Sequence, residues 1–539
     1  MRHPILAFPL RVFEYHRPVG MTVAGAGVSV LMLLPLAYIV YYALSAGAAD
    51  WARIWSKWLP VLLANTLGLG AAVALVTLLL GTSLAWLVTR YEFAGKGIWS
   101  WLLATPLGIP TYIMAYVYTE MFLPGGWAQS AARLLGGPEA RLPLLYGAFP
   151  AVVMVLSLAT YPYVYLLVRA SLVNHNITFD EAAQIQGVTR LFRFLRITLP
   201  LHRPAVMAGL FLAVMYVFAD FGAVSMMRYS TFTRAIYLEL AGRTDRVGAS
   251  MLCLVLIVLS AVLFWLERRN RSRSRYYQTV GTFRPVPGRR CGWSGTALIW
   301  SYFLLVFGSA TGVVIAFLVV KSVEGIRAAG LPEDLGSYAF NSLFVSVAAA
   351  SAAVFLIVPV AYLATRYQDR LYQFYLRCAY AGYVLPGPIV GVGVLFIAIH
   401  LFNPIYGTAG TVILAYLIRF LPEGLQALEA SFQQVKPHLE EAARSLGSTF
   451  HSALLRVLLP MIRPGIVTGW VLIFVSSMKE LPATLLLRPL GFDTLAVRIW
   501  IETSEEYYEL AAPAALLLIG VTFPLFALLL ARTTRQTLP

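Results

Sequence analysis

Long apolar runs alternate with short basic segments along the whole chain, and the length of the runs decides the class of fold. A helix needs about 20 apolar residues to cross a bilayer. Runs of that order stand at about 21 to 44, 59 to 88, 99 to 122, 147 to 170, 204 to 224 and 248 to 266. A second series follows at about 298 to 320, 340 to 364, 378 to 401, 408 to 428, 464 to 485 and 510 to 531. The pattern predicts an all-α polytopic membrane protein with twelve transmembrane helices, six in each of two parallel repeats. Between the series lies Arg268-Arg269-Asn270-Arg271-Ser272-Arg273-Ser274-Arg275, continuing through Pro285, Pro287 and Arg289-Arg290, which reads as a basic cytoplasmic linker. The expected division is a first repeat at 1–267, a linker at 268–293 and a second repeat at 294–539.

Duplication is visible in the polar positions as well. Asn65-Thr66 recurs as Asn341-Ser342, Thr89-Arg90-Tyr91 as Thr365-Arg366-Tyr367, and Ile109-Pro110 as Leu385-Pro386, each 276 positions on. Later the spacing is 260, and the Gly- and Pro-containing stretch from Leu123 to Pro143 is the expected excess of the first copy, on the outer face. The best-kept match is the segment 181–200 against 441–460. Gly187 stands six places after Glu181 and Gly447 six after Glu441, and a Leu-Pro pair closes each segment at Pro200 and Pro460. Thr178 and Glu181 have the spacing of a capping box, and Pro437 suits a first helical turn. Gly187 and Gly447 suit the left-handed position just past a helix end. Between these signals Ala182, Ala183, Ala442 and Ala443 offer a smooth face to an approaching backbone.

Composition agrees with the pattern. At 59% hydrophobic and 12% charged residues, the chain is outside the range of soluble domains, where about a quarter of residues are charged. The net charge of +16 resides in the short segments between runs, which speaks for the positive-inside rule and against nucleic acid. Arg190, Arg193, Arg196, Arg203, Arg444, Arg456 and Arg463 flank the two matched segments and place them in the cytoplasm, with both chain termini on the same side. Arg2, Arg11 and Arg17 precede the first run, which is read as a retained span despite Ala46-Gly47-Ala48, a sequence like a leader cleavage site. Cys253, Cys291 and Cys378 have no spacing for a disulfide framework or a zinc site. No G-x-x-x-x-G-K-[ST] pattern occurs, so the chain does not supply an ATP site through that motif.

Charges inside apolar runs are costly and face a cavity or a partner. Asp220 and Glu480 are 260 positions apart, at matching places. They are expected to face one central path, where a multivalent cation would favour carboxylate oxygens. The competing reading pairs Glu480 with Lys479 or Arg488, and Asp220 with Arg228. Arg419 and Glu423, one turn apart on one helix, are expected to form a local ion pair. Glu120, Arg419, Glu423 and Lys479 are weaker candidates for the path, and no metal site is assigned.

Glu181-Ala182-Ala183 with Gly187, Ile197, Leu199 and Pro200 resembles the EAA loop of ABC importer permeases. Glu441-Ala442-Ala443 with Gly447, Leu459 and Pro460 matches it again, with Val457 where the pattern prefers Ile. The resemblance implies the type I importer fold, with both loops docking on separate ATP-hydrolysing subunits. Met478-Lys479-Glu480-Leu481-Pro482-Ala483-Thr484 and Phe492-Asp493-Thr494-Leu495-Ala496 look like the corresponding stretch of fused ferric-iron permeases. Asp220-Phe221-Gly222, Thr231-Phe232-Thr233 and Ala235-Ile236-Tyr237 are similar to the first-half counterpart. What this implies is a non-enzymatic permease of the bacterial inner membrane carrying ferric iron as substrate. Its partners would be an extracytoplasmic binding protein and two ATPase subunits, which hold the ATP and Mg; the permease itself binds no cofactor. Fused permeases for thiamine, sulfate-like anions or phosphonates share the frame. A gradient-driven transporter with parallel repeats would not need two matched docking loops. A membrane hydrolase would want an H-E-x-x-H or G-x-S-x-G pattern, and neither occurs.

Overall fold

The computed structural model describes residues 18–535, apart from residues 138, 140, 179–180, 182–184, 186, 188, 190–191, 193–195, 197, 244, 273–283, 285 and 368. Arg2, Arg11 and Arg17, and part of the basic linker, lie outside the described residues. The fold is all-α. Among the described residues ten single helices are long and apolar enough to cross a membrane. The first five are Val19–Ser45, Leu59–Arg90, Phe149–Val173, Pro200–Ala219 and Arg246–Glu267. The second five are Trp293–Ala328, Leu335–Arg366, Ala409–Gln434, Phe450–Met478 and Tyr508–Leu528. Their outward leucines, such as Leu75 and Leu79 at 59% and 61% exposed, fit contact with lipid rather than water.

The other two expected spans are broken, and the matched prolines break them. Residues 99 to 122 form the helix Lys96–Leu102, a 3-10 turn Thr105–Gly108 and the helix Thr111–Met121, which starts just after Pro110. Its equivalent consists of Arg370–Tyr383 and Gly387–Leu401, bent by 114°. Proline excludes the helical region for the residue before it, and Ile109 and Leu385 are extended at φ −95° and −93°. Apolar content alone cannot reveal such a break. Two further breaks, 260 positions apart, end the helices Leu199–Ala219 and Leu459–Met478. The short helices Gly222–Met226 and Pro482–Leu487 follow them.

The halves interlock by exchanging their first spans. Val19–Ser45 packs on second-half helices: Pro35 rests against Gly393, where any Cβ would collide with it, and Tyr38 stacks on Phe396 at 4.1 Å. Trp293–Ala328 returns the contact to the first half. The Tyr302 and Ser83 hydroxyls are 2.7 Å apart, and Trp300 Nε1 donates to the Ala94 carbonyl at 3.0 Å.

The two 32-residue helices Leu59–Arg90 and Leu335–Arg366 give the molecule its height, about 48 Å at 1.5 Å per residue. Near their first turns Asn65 donates to the Ser230 carbonyl at 2.9 Å and Asn341 to the Asp493 carbonyl at 3.0 Å. At their far ends Tyr91–Glu92 pairs in parallel with Arg289–Arg290 of the linker, and Arg366 Nη1 donates to the Val435 carbonyl at 3.0 Å. The loops around 230 and 493 and the matched segments thus occupy opposite faces of the fold. The excess stretch of the first copy contains its own helix, Trp127–Gly136. Buried Gln129 fixes it by donating to the Phe122 and Leu142 carbonyls at 3.0 and 2.6 Å.

Candidate functional site

The segment 441–460 is described throughout. Pro437 opens the helix His438–Ser445, as suits a residue with no amide hydrogen to leave unsatisfied. The far end closes in a Schellman motif. Gly447 at φ 87° donates its amide to the Arg444 carbonyl at 2.9 Å, and the Ser448 amide donates to Ala443 at 3.1 Å. Gly187 holds the same left-handed conformation, at φ 71°, in the first segment, where Ala182 and Ala183 lie outside the described residues. A left-handed residue with a Cβ costs about 1–2 kcal/mol. A Gly447→Ala chain should therefore exchange amide hydrogens of residues 438–448 roughly tenfold faster while the spans exchange unchanged, as read by mass spectrometry.

Adjacent acids in this helix point in opposite directions. Glu440 is 1% exposed and accepts the Tyr362 hydroxyl at 2.7 Å, with Arg366 Nε at 3.8 Å. Glu441 faces outward, 3.6 Å from the His438 imidazole. It shares that side with exposed Ala442, Gly447 and Leu446, the last 87% exposed. Glu181 is half exposed, with its carboxylate 3.6 Å from Arg284 of the linker. It does not complete the expected capping box, because Asn176 Oδ1 takes the Thr178 amide at 3.3 Å. A guanidinium attracts a carboxylate more strongly than one neutral amide does.

Asp220 and Glu480 sit at the two equivalent helix breaks, 6% and 4% exposed. Each caps the short helix that follows, whose first amides have no partner within the helix. Asp220 Oδ1 accepts the amides of Ala223 and Val224 at 3.0 and 3.3 Å, and Glu480 Oε1 accepts that of Ala483 at 3.0 Å. The remaining charge is met differently in each half. Asp220 Oδ2 accepts the Thr111 hydroxyl at 2.5 Å, whereas Glu480 Oε1 also accepts Arg419 Nη1 at 3.1 Å. The guanidinium lies over Gly387, where any Cβ would collide with Nη1. In the first half the equivalents of Gly387 and Arg419 are Thr111 and Ala159. One half answers its acid with a hydroxyl; the other uses a cation that a glycine admits.

The expected alternative pairings are corrected by this geometry. Arg228 lies over the Tyr146 ring at 4.6 Å and away from Asp220. Lys479 Nζ donates to the Leu107 carbonyl at 3.0 Å, across the boundary between halves, and Arg488 pairs with Asp493. The local Arg419–Glu423 pair does not form, since Glu423 accepts the Ser476 hydroxyl at 2.7 Å. The helices Ala409–Gln434 and Leu459–Met478 pack face to face, so partners across the interface are nearer than partners one turn along. Glu120 meets Lys321 at 3.0 Å, and Glu324 and Glu509 are 3.3 and 3.8 Å from the same ammonium.

Sequence reasoning passed over Glu440, Tyr362, Thr111 and Gly387. A hint was present for the first of these: an acid, Asp180 or Glu440, precedes the glutamate in both segments.

Two stretches, residues 77–276 and 357–536, match the family described as binding-protein-dependent transport system inner membrane component. The chain is 27% identical to the Fe(3+)-transport system permease protein FbpB 2 of Haemophilus influenzae, over 93% of this chain and 96% of that one. It is 23% identical to the ferric transport system permease protein FbpB of Actinobacillus pleuropneumoniae, over 79% of this chain and 64% of that one. The sulfate transport system permease protein CysW of Escherichia coli is 28% identical, over 46% of this chain and 82% of its own length.

Proposed function

The chain belongs to the family of inner membrane components of binding-protein-dependent transport systems, and from that premise we propose that it is the permease subunit of an ABC importer for ferric iron. The observation that carries the iron assignment is the likeness to a ferric permease along nearly the full length of both chains. Sulfate permeases match only about half of this chain.

In this reading two repeats, 1–267 and 294–539, are joined by the cytoplasmic linker 268–293, and both termini are cytoplasmic. Two copies of an ATPase subunit, which hold ATP and Mg, dock on the segments Glu181–Gly187 and Glu441–Gly447. Exposed Glu441, Ala442 and Leu446 support this for the second segment. A binding protein delivers the ion to the opposite face. ATP shifts the permease between inward- and outward-open states only by favouring one of them. The docked helix His438–Ser445 transmits that preference through Glu440 to Tyr362 and Arg366 of the long helix Leu335–Arg366. Asp220 and Glu480 act on the pathway by holding the two broken helices at the boundary between repeats. Lys479, Arg419 and Glu423 lie in the same buried layer.

The test is ATPase activity of the complete reconstituted complex against a panel of loaded binding proteins. Ferric-loaded protein is expected to stimulate hydrolysis roughly tenfold, a difference of about 1.4 kcal/mol in the barrier. Sulfate-, thiamine- and phosphonate-loaded proteins should leave it at the basal rate. Stimulation by one of these instead would discard iron while keeping the importer.

A further inference from the structure

A cavity of about 80 Å³ lies between the repeats on the face remote from the coupling segments. Tyr116, Thr119, Tyr146, Ser225 and Arg228 line it from the first repeat and Tyr508 from the second. Tyr116 and Thr119 are 1% and 4% exposed, and among the described residues the hydroxyls of Tyr116, Thr119 and Ser225 meet no hydrogen-bond partner. A buried polar group without a partner is costly, so the great majority have one, whether protein, water or a bound ion. The Tyr146 and Tyr508 hydroxyls are 3.2 Å apart. No carboxylate lines the cavity among the described residues.

Arg228 provides a second, independent sign. Its φ of 55° is left-handed, a conformation unfavourable for a residue with a Cβ, and it sets the guanidinium 4.6 Å over the Tyr146 ring at the cavity rim. The equivalent residue of the second repeat, Arg488, is neutralised by Asp493. The position matching Asp493 in the first repeat is Ser230, since Asn65 and Asn341 donate to these two carbonyls. Arg228 has therefore kept the cation of the pair without its anion.

We propose that this cavity binds a small tetrahedral oxyanion of the phosphate or sulfate class, which takes the place of the missing carboxylate. The guanidinium supplies the charge, and the three unpartnered hydroxyls donate to the anion's oxygens. The volume suits one such ion in place of a few waters. Phenol oxygens could also hold a hard cation, but the guanidinium at the rim and the absence of a lining carboxylate disfavour one. The site rests on this geometry and not on the iron assignment.

The test is equilibrium binding of radiolabelled inorganic phosphate and sulfate to the full chain, purified in a maltoside detergent free of phospholipid. One saturable site per chain is expected. Arg228→Gln and the Tyr116→Phe/Ser225→Ala double variant should each weaken it about 10- to 100-fold, the range for losing charge-assisted hydrogen bonds. Arg228→Lys should recover part of the affinity. Both variants change exposed or hydroxyl-only groups, and monodisperse elution with an unchanged melting curve would show that they fold. Absence of saturable binding, or equal binding in the variants, would overturn the proposal and leave the cavity to water. Saturable binding of Ga(III) that is lost in Tyr116→Phe, without anion binding, would overturn it in favour of a cation site.

Discussion

An Arg419→Leu chain should be less stable than the parent by about 3–5 kcal/mol, the usual cost of removing one partner from a buried ion pair. Glu480, 4% exposed, would keep its bond to the Ala483 amide and lose the guanidinium that now meets it at hydrogen-bond distance. The lower end of the range is expected, because the Arg419 side chain keeps 19% of its surface exposed. Adding Glu480→Gln should restore most of the loss, since an amide oxygen can still cap the helix Pro482–Leu487 without an unmet charge. The measurement is the thermal-inactivation midpoint of the reconstituted complex for the parent, both single variants and the double variant. Additive effects would show that Arg419 and Glu480 do not depend on each other.

Transport should respond most to Glu440, not to its neighbour Glu441. Glu440→Ala removes the acceptor of the Tyr362 hydroxyl and leaves Arg366, already short of partners at Nε and Nη2, with less compensation. In the proposed coupling, the helix His438–Ser445 then remains in place but no longer pulls on the helix Leu335–Arg366. Loss of a hydrogen bond to a charged group is worth about 1.5–3 kcal/mol, so uptake per ATP hydrolysed should fall about 10- to 100-fold while hydrolysis itself continues. Glu441→Ala touches only the outward face. It should weaken binding of the ATPase subunit and leave the ratio of uptake to hydrolysis unchanged. Equal ratios in both variants would mean that force does not pass through Glu440.

Local signals are legible in the sequence. Apolar length placed ten spans, and the glycines at 187 and 447 were identified as left-handed caps from their spacing alone, as φ values of 71° and 87° bear out. Broken spans were less visible because Pro110 and Pro386 interrupt the geometry of an apolar run without interrupting its hydropathy. Matching of Asp220 with Glu480 was also legible, but matching establishes equivalence and says nothing about partners. The partner of Glu480 is 61 residues away, and that of Asp220 is 109 away. Both depend on which helices cross, and hence on tertiary packing. Glu440 was hidden for the same reason, with Tyr362 78 positions earlier.

The unequal treatment of the two acids bears on why the repeats share one chain. In a permease built from two identical subunits, any substitution appears twice about the axis. An arginine at position 419 would then bring two guanidinium groups into the same buried layer, and a glycine at 387 would remove both Thr111-type hydroxyls at once. Fusion lifts that constraint. Each copy can drift to its own way of neutralising the break, and the layer as a whole can hold an odd charge that no twofold-symmetric assembly could reach by a single substitution. The covalent link thus does more than fix stoichiometry: it lets a twofold frame enclose an asymmetric interior.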